Sequence, residues 1–177
     1  MSLIREAKDI LIKCLKGREA IYSFLGRIYE KELDEQFLKD LLLRKESLLK
    51  YKSIDGLDVN IKEGFEELYG FLASLNEEKL SEAILELAVD YANLFLGVKY
   101  ARDKRGVMHP SESAYIAGHM YQDVIDQVFE AYLEAGLIKS PNFREPEDHI
   151  ALEMHFMAHL CRKAITSLEN GDFQSLL

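Results

Sequence analysis

No proline occurs before Pro110, and the only others are Pro141 and Pro146. A chain without this residue, which lacks a backbone N–H and clashes with the preceding turn, can run in long helices over its first hundred positions. The apolar residues use that freedom. They fall at Leu80, Ala83, Ile84, Leu87, Ala88, Tyr91, Leu94 and Phe95, the spacing of a helix packed along one face, which Gly97 then ends. A second stripe, Ile116, Met120, Val124, Val128 and Tyr132, leads to Gly136, a residue suited to a left-handed C-cap. Segments 3–31, 34–52 and 61–75 repeat the pattern less cleanly, with breaks expected at Gly17, in "SIDGLDVN" at 53–60, and at Asn76. No segment alternates with the period of a strand, and no repeat or linker divides the chain. The expected fold is all-α, a single-domain helical bundle over residues 1–177.

At 48% hydrophobic residues, a core can form without disulfides or metals. Cys14 and Cys161 match no metal-ligand or redox spacing and read as small apolar residues of a reduced, cytoplasmic protein. No apolar run reaches the roughly 18 residues of a membrane span. Arg5, Glu6, Lys8 and Asp9 stand where a signal peptide would be apolar. The net charge of −9 argues against nucleic acid as a partner. Lys99, Arg102, Lys104 and Arg105 form a local positive island in the loop 98–109, read as solvated.

The stretch "EPEDHIALEMHFMAHL", residues 145–160, gathers three of the five histidines with four carboxylates. Pro146 suits the first turn of a helix, and Glu147 and Asp148 would sit beside the positive end of its dipole. Winding onward places Ile150, Met154, Met157, Cys161 and Ala164 on one face, expected to be core. Glu153 falls in that stripe, with His149 one turn earlier as its nearest partner. His155 and His159 have the i, i+4 spacing of zinc ligands but project to the opposite, polar side. His109 and His119 supply no second cluster, so two exposed surface histidines, and no metal or cofactor, are expected. Asp148 and His149 point apart as helix neighbours and are not each other's acid/base dyad. No catalytic residue is expected. Upstream, Ser111 can cap a helix whose first turn holds Glu112, and Tyr115 is either core or the rim of a groove.

Three stretches, "DYANLFLG" at 90–97, "HPSESAY" at 109–115 and "EPEDHIALEMHFMAHL", together resemble the TorD/DmsD/NarJ family of cytoplasmic chaperones for molybdenum-containing oxidoreductases. Order, spacing and helical placement all agree, over about residues 18–168. The resemblance implies an all-helical chaperone, not an enzyme. It would bind the N-terminal leader of a molybdoenzyme subunit, often a twin-arginine sequence, and assist maturation and cofactor insertion before export or assembly. By position, Glu145, Pro146, Glu147, Asp148 and His149 would line the leader-binding region, with Pro110, Glu112, Ser113 and Tyr115 on its other side. Such a leader presents two arginines beside an apolar stretch, so its receptor needs carboxylates next to apolar surface. The family commonly continues into one more helix where this sequence reads "GDFQSLL", which leaves a homodimer or domain-swapped dimer open as an arrangement. From other classes, a metal-dependent helical-bundle enzyme using His155 and His159, and a generic helical interaction module, stay open as alternatives.

Overall fold

The computed structural model describes residues 2–52, 58–96, 109–117 and 122–172. Among them seven α-helices follow in order: α1 (Ser2–Glu30), α2 (Glu35–Lys52), α3 (Val59–Ser74), α4 (Leu80–Phe95), α5 (Glu112–Ala117), α6 (Gln122–Glu134) and α7 (Ile150–Asn170). The one extended pairing among the described residues is an isolated antiparallel bridge between Ser111 and His149. The chain is all-α, as its periodicity predicts. It forms two compact units, Glu32–Val107 and the discontinuous pair Met1–Lys31 with Met108–Leu177.

In the continuous unit the helices begin where short acidic side chains stop them. Asp34 accepts the Phe37 N–H at 2.9 Å and Asp58 accepts the Asn60 N–H at 2.8 Å, each standing just before its helix. Asn76, an expected break, accepts the Lys79 N–H at 3.0 Å and closes the short 3-10 turn that enters α4. Leu38, Leu72 and Leu80 form the buried centre, and Ile84 and Leu87 pack against it from the following turns of α4. The first half of the stripe read from Leu80 is therefore the core face of that helix, while Leu94, near its end, is exposed. Gly97 and the basic island lie outside the described residues.

The discontinuous unit is built on α1 lying antiparallel to α7. Glu30 meets His155 at 3.2 Å, Glu19 meets Arg162 at 3.0 Å and Lys16 meets Glu169 at 3.4 Å. One partner number rises as the other falls. The break expected at Gly17 does not occur; α1 runs through it unbroken. A glycine costs a helix only about 1 kcal/mol, which continuous packing against α7 outweighs.

The buried apolar positions of α7 are Ala151, Ala158, Cys161, Ile165 and Leu168, of which only Cys161 belongs to the expected core face, so that face is rotated. Met157 is exposed, and Ile150, Met154 and Ala164 are only half-buried. Both sets are apolar at helical spacing; the small Ala151 and Ala158 let backbone come close, and hydropathy alone does not register that difference. Burial pushes the Cys161 thiol up, keeping it a neutral, space-filling group.

The stripe from Ile116 to Tyr132 falls on α5 and α6, and residues 118–121 between their described ranges lie outside the described residues. Val124 and Tyr132 are buried as expected, Ile116 is 66% exposed, and Met120 lies outside the described residues. Gly136 takes φ 76° and Gly171 takes φ 73°, the left-handed conformation that favours glycine. At each, the next N–H reaches back, Leu137 to the Tyr132 carbonyl at 2.8 Å and Asp172 to Ser167 at 2.9 Å, ending α6 and α7 in the same way.

Candidate functional site

The two motifs around Ser111 and His149 meet in the discontinuous unit. Ile150 donates its N–H to the Pro110 carbonyl at 2.8 Å, and Glu112 donates to the Asp148 carbonyl at 3.0 Å, flanking the Ser111–His149 bridge on both sides. These two hydrogen bonds thereby fasten the start of α5 to the start of α7.

Helix α7 begins later than the position of Pro146 suggests. Residues 146–149 form a turn closed by His149 N–H to Pro146 carbonyl at 3.2 Å, and His149 itself is the N-cap. Pro146, Glu147 and Asp148 are thus outside the helix. The pairing of residues 148–150 with 110–112 keeps His149 extended, a tertiary demand that outweighs the local start signal. The His149 Nδ1 accepts the Ala151 N–H at 3.2 Å, which places the proton of the neutral ring on Nε2. Glu153 and His149 are not paired through their side chains: His149 Nδ1 serves as the cap, and Glu153 Oε1 is buried without a hydrogen-bond partner.

Asp148 is fully buried, and its Oδ2 accepts the backbone N–H of Ser113 at 2.9 Å. Ser113 lies in the first turn of α5, so the cap expected from Ser111 is supplied from 35 residues away. Ser111 contributes its carbonyl, which accepts from Ala114 at 3.1 Å. Asp148 Oδ1 and Ser113 Oγ are buried without hydrogen-bond partners. Of the expected site residues, Pro110, Ser113, Asp148 and His149 are therefore brought together as the junction itself, while Glu112, Tyr115 and Glu145 face solvent. Pro146 and Glu147 are half-buried between those groups.

Three further residues hold the turn, and composition gave no sign of them. Tyr132 donates its hydroxyl to the Glu147 carbonyl at 3.0 Å and sets its ring edge-on to Phe156, with centroids 4.8 Å apart. Lys139 donates to the Glu145 carbonyl at 2.7 Å and pairs with Glu147 at 3.0 Å. Phe143 stands edge-on to the His149 ring at 5.5 Å. Only the aromatic type of Tyr132 and Phe143, next to a helix end and a turn, could have singled them out.

Burial sets the electrostatics. It holds the His149 ring below its usual value, against the smaller upward pull of Glu145 and Asp148. It pushes Glu153 up to about 7, helped by the nearby Glu112 and Asp148 carboxyl groups. Burial, with the Glu153, Asp148, Glu147 and Glu112 carboxyl groups, pushes the Tyr132 phenol well up, so it remains a donor. The signs of the two shifts oppose. His149 stabilises the fold above its unfolded value near 6.5, and that contribution is lost as pH falls. Glu153 stabilises it below the unfolded 4.5, and that contribution is lost as pH rises toward about 7.

Glu153→Gln removes only the second effect. Its melting temperature relative to the native chain should climb between pH 4.5 and 7.5, by the equivalent of about 1–2 kcal/mol after allowance for half-burial. A difference that stays flat across thermal melts at several pH values would show that Glu153 titrates normally.

His155 and His159 are half-buried, not the exposed surface pair expected. His155 Nε2 lies 3.2 Å from Glu30, and its ring presses on Gly26 of α1, where an added Cβ would come within 2.8 Å of it. No group of three or more His, Cys, Asp or Glu among the described residues is arranged to hold a metal ion. No helix among them is long and apolar enough to cross a membrane.

A sequence model of the family described as nitrate reductase delta subunit matches residues 55–177, which contain both halves of this junction. The chain belongs to that family. It is the family that the three motifs resemble, and curated relatives in it carry the name Chaperone protein TorD. One from Shewanella pealeana is 30% identical over 148 residues, 81% of this chain and 65% of the relative. One from Escherichia coli is 29% identical over 140 residues, 79% of this chain and 63% of the relative. The chain thus spans just under two thirds of the length of these TorD relatives. No solved structure matches it.

Proposed function

We propose that this chain is a chaperone in the maturation of a molybdenum-containing oxidoreductase, acting in the cytoplasm on the N-terminal leader of a client subunit. Membership of the nitrate reductase delta subunit family and the chaperone name of its relatives support the class. One observation carries the site. Helix α5 exposes Tyr115 by 72% and Ile116 by 66%, directly after the exposed Glu112, on a segment that Asp148 fastens to the turn bearing exposed Glu145. Carboxylates and uncovered apolar surface are offered together, the combination a twin-arginine leader needs.

The division of labour follows burial. Glu112 and Glu145 receive the guanidinium groups, and Tyr115 and Ile116 receive the apolar stretch. Pro110, Ser113, Pro146, Glu147, Asp148 and His149 hold those groups in place. No bond is made or broken by any of them, so the reading is of a binding protein, not an enzyme; assistance to cofactor insertion would come from holding the client.

Calorimetric titration with twin-arginine leader peptides of molybdoenzyme subunits should give saturable binding. It should weaken at least tenfold when both arginines become lysine, and by a similar factor in Glu112→Gln combined with Glu145→Gln. Binding indifferent to all of these changes would remove the arginine-recognition site, and no binding to any leader would remove the leader reading.

A further inference from the structure

A pocket of about 230 Å³ opens between the segment after α6 and one flank of α7. Leu137, Leu152, Phe156 and Tyr132 give it an apolar floor, and Lys139, His155 and His159 complete its walls. No carboxylate among the described residues lines it, although acids outnumber Lys and Arg by 31 to 22 in the chain. The carboxylates that balance two of these groups stand outside the lining: Glu30 on His155 at 3.2 Å and Glu147 on Lys139 at 3.0 Å.

We infer that this pocket binds a small organic anion, an apolar body bearing one carboxylate, and that its occupancy is felt at the Glu145–His149 turn through Lys139. The volume lies below the roughly 300–1,000 Å³ of pockets for drug-sized ligands, so the body is no larger than a single ring or short alkyl chain. The floor removes that body from water. Its carboxylate would meet the Lys139 ammonium and the His159 imidazole, with charge-assisted bonds to each, while His155, held by Glu30, contributes ring surface. Lys139 is the link, since the same Nζ holds the Glu145 carbonyl at 2.7 Å and the Glu147 carboxylate. Tyr132 is a second contact common to both places, lining the pocket with its ring and holding the Glu147 carbonyl with its hydroxyl. The same chemistry is offered by a free carboxylic acid and by a polypeptide C-terminus ending in an apolar residue. This inference stands apart from the leader reading and does not need it.

The test is an NMR titration of the full chain with phenylacetate, with benzyl alcohol as the neutral body and acetate as the anion alone. Phenylacetate should shift Leu152, His155 and His159 saturably and move the amides of Glu145–His149 with the same concentration dependence. Lys139→Met should weaken it at least fivefold and uncouple the turn. Leu152→Trp, which fills the floor, should abolish binding while the helical spectrum is kept. N-acetylphenylalanine and its amide separate the sources: N-acetylphenylalanine binding more tightly than phenylacetate, and its amide not at all, identifies a chain terminus, and phenylacetate alone binding a free acid. Benzyl alcohol binding as well as phenylacetate, acetate giving the same shifts, or no saturable shift with any carboxylate would overturn the inference.

Discussion

Asp148→Ala should lower the stability of the chain by about 2–3 kcal/mol, roughly 5–10 °C in melting temperature at this length. The carboxyl group is fully buried and takes the Ser113 N–H at 2.9 Å, so truncation strands a donor that water does not reach. It also removes the cap of a six-residue helix that has little intrinsic stability. Asn retains an acceptor in the same place and offers a donor to the unpartnered Ser113 Oγ. Asp148→Asn should therefore cost less than half as much as Ala. With Asp148 gone, one of the carboxyl groups that push Glu153 up is gone too, and the pH dependence of stability should flatten. Denaturant unfolding of both variants decides the matter; equal losses, or an Ala variant within 0.5 kcal/mol of native (about the scale of ordinary surface changes), would remove Asp148 from its role as the junction's fastener.

The second large effect is expected at Gly26→Leu, a loss of about 3 kcal/mol from overpacking. An ideal Cβ at residue 26 already comes within 2.8 Å of His155 Cε1 and Nδ1. On a free helix, replacing glycine would gain up to about 1 kcal/mol, so the sign depends on whether the ring can retreat. It is tied to Glu30 at 3.2 Å, and retreat breaks that pair. His155→Ala alone gives up only a partly exposed ion pair, worth at most about 1 kcal/mol. In the double variant the Leu side chain has the vacated space, and most of the Gly26→Leu loss should vanish. Strict additivity of the two losses would show that α1 and α7 do not meet closely here.

The sequence carried the helices well where one stripe meets one core. Leu80, Ile84 and Leu87 declare their face without help, and Gly136 declares the end of α6. It misled where a local signal competes with a distant one. Pro146 and the acids after it look like the first turn of α7, yet they form a separate turn, residues 110–112 pair with 148–150, and His149 becomes the cap instead. Asp148 was singled out through family resemblance as a lining residue, but nothing local reveals that its carboxyl group caps a helix 35 positions upstream. The face of α7 was misjudged for a related reason. Met157 and Ala158 are both apolar, and only the arrival of α1 selects the smaller residue for burial.

The pairing of α1 with α7 has a consequence for the order of events during synthesis. Glu30 and His155 are 125 positions apart, and Lys16 and Glu169 are 153 apart. At the usual 5–20 residues per second, α1 leaves the ribosome roughly 6–30 s before its partner exists. The unit Glu32–Val107 is contiguous and can close as it emerges, but the one holding the candidate site waits for the last helix. Until then the apolar side of α1 is unshielded, and a nascent chain stalled before α7 should be held by general chaperones through its first thirty residues.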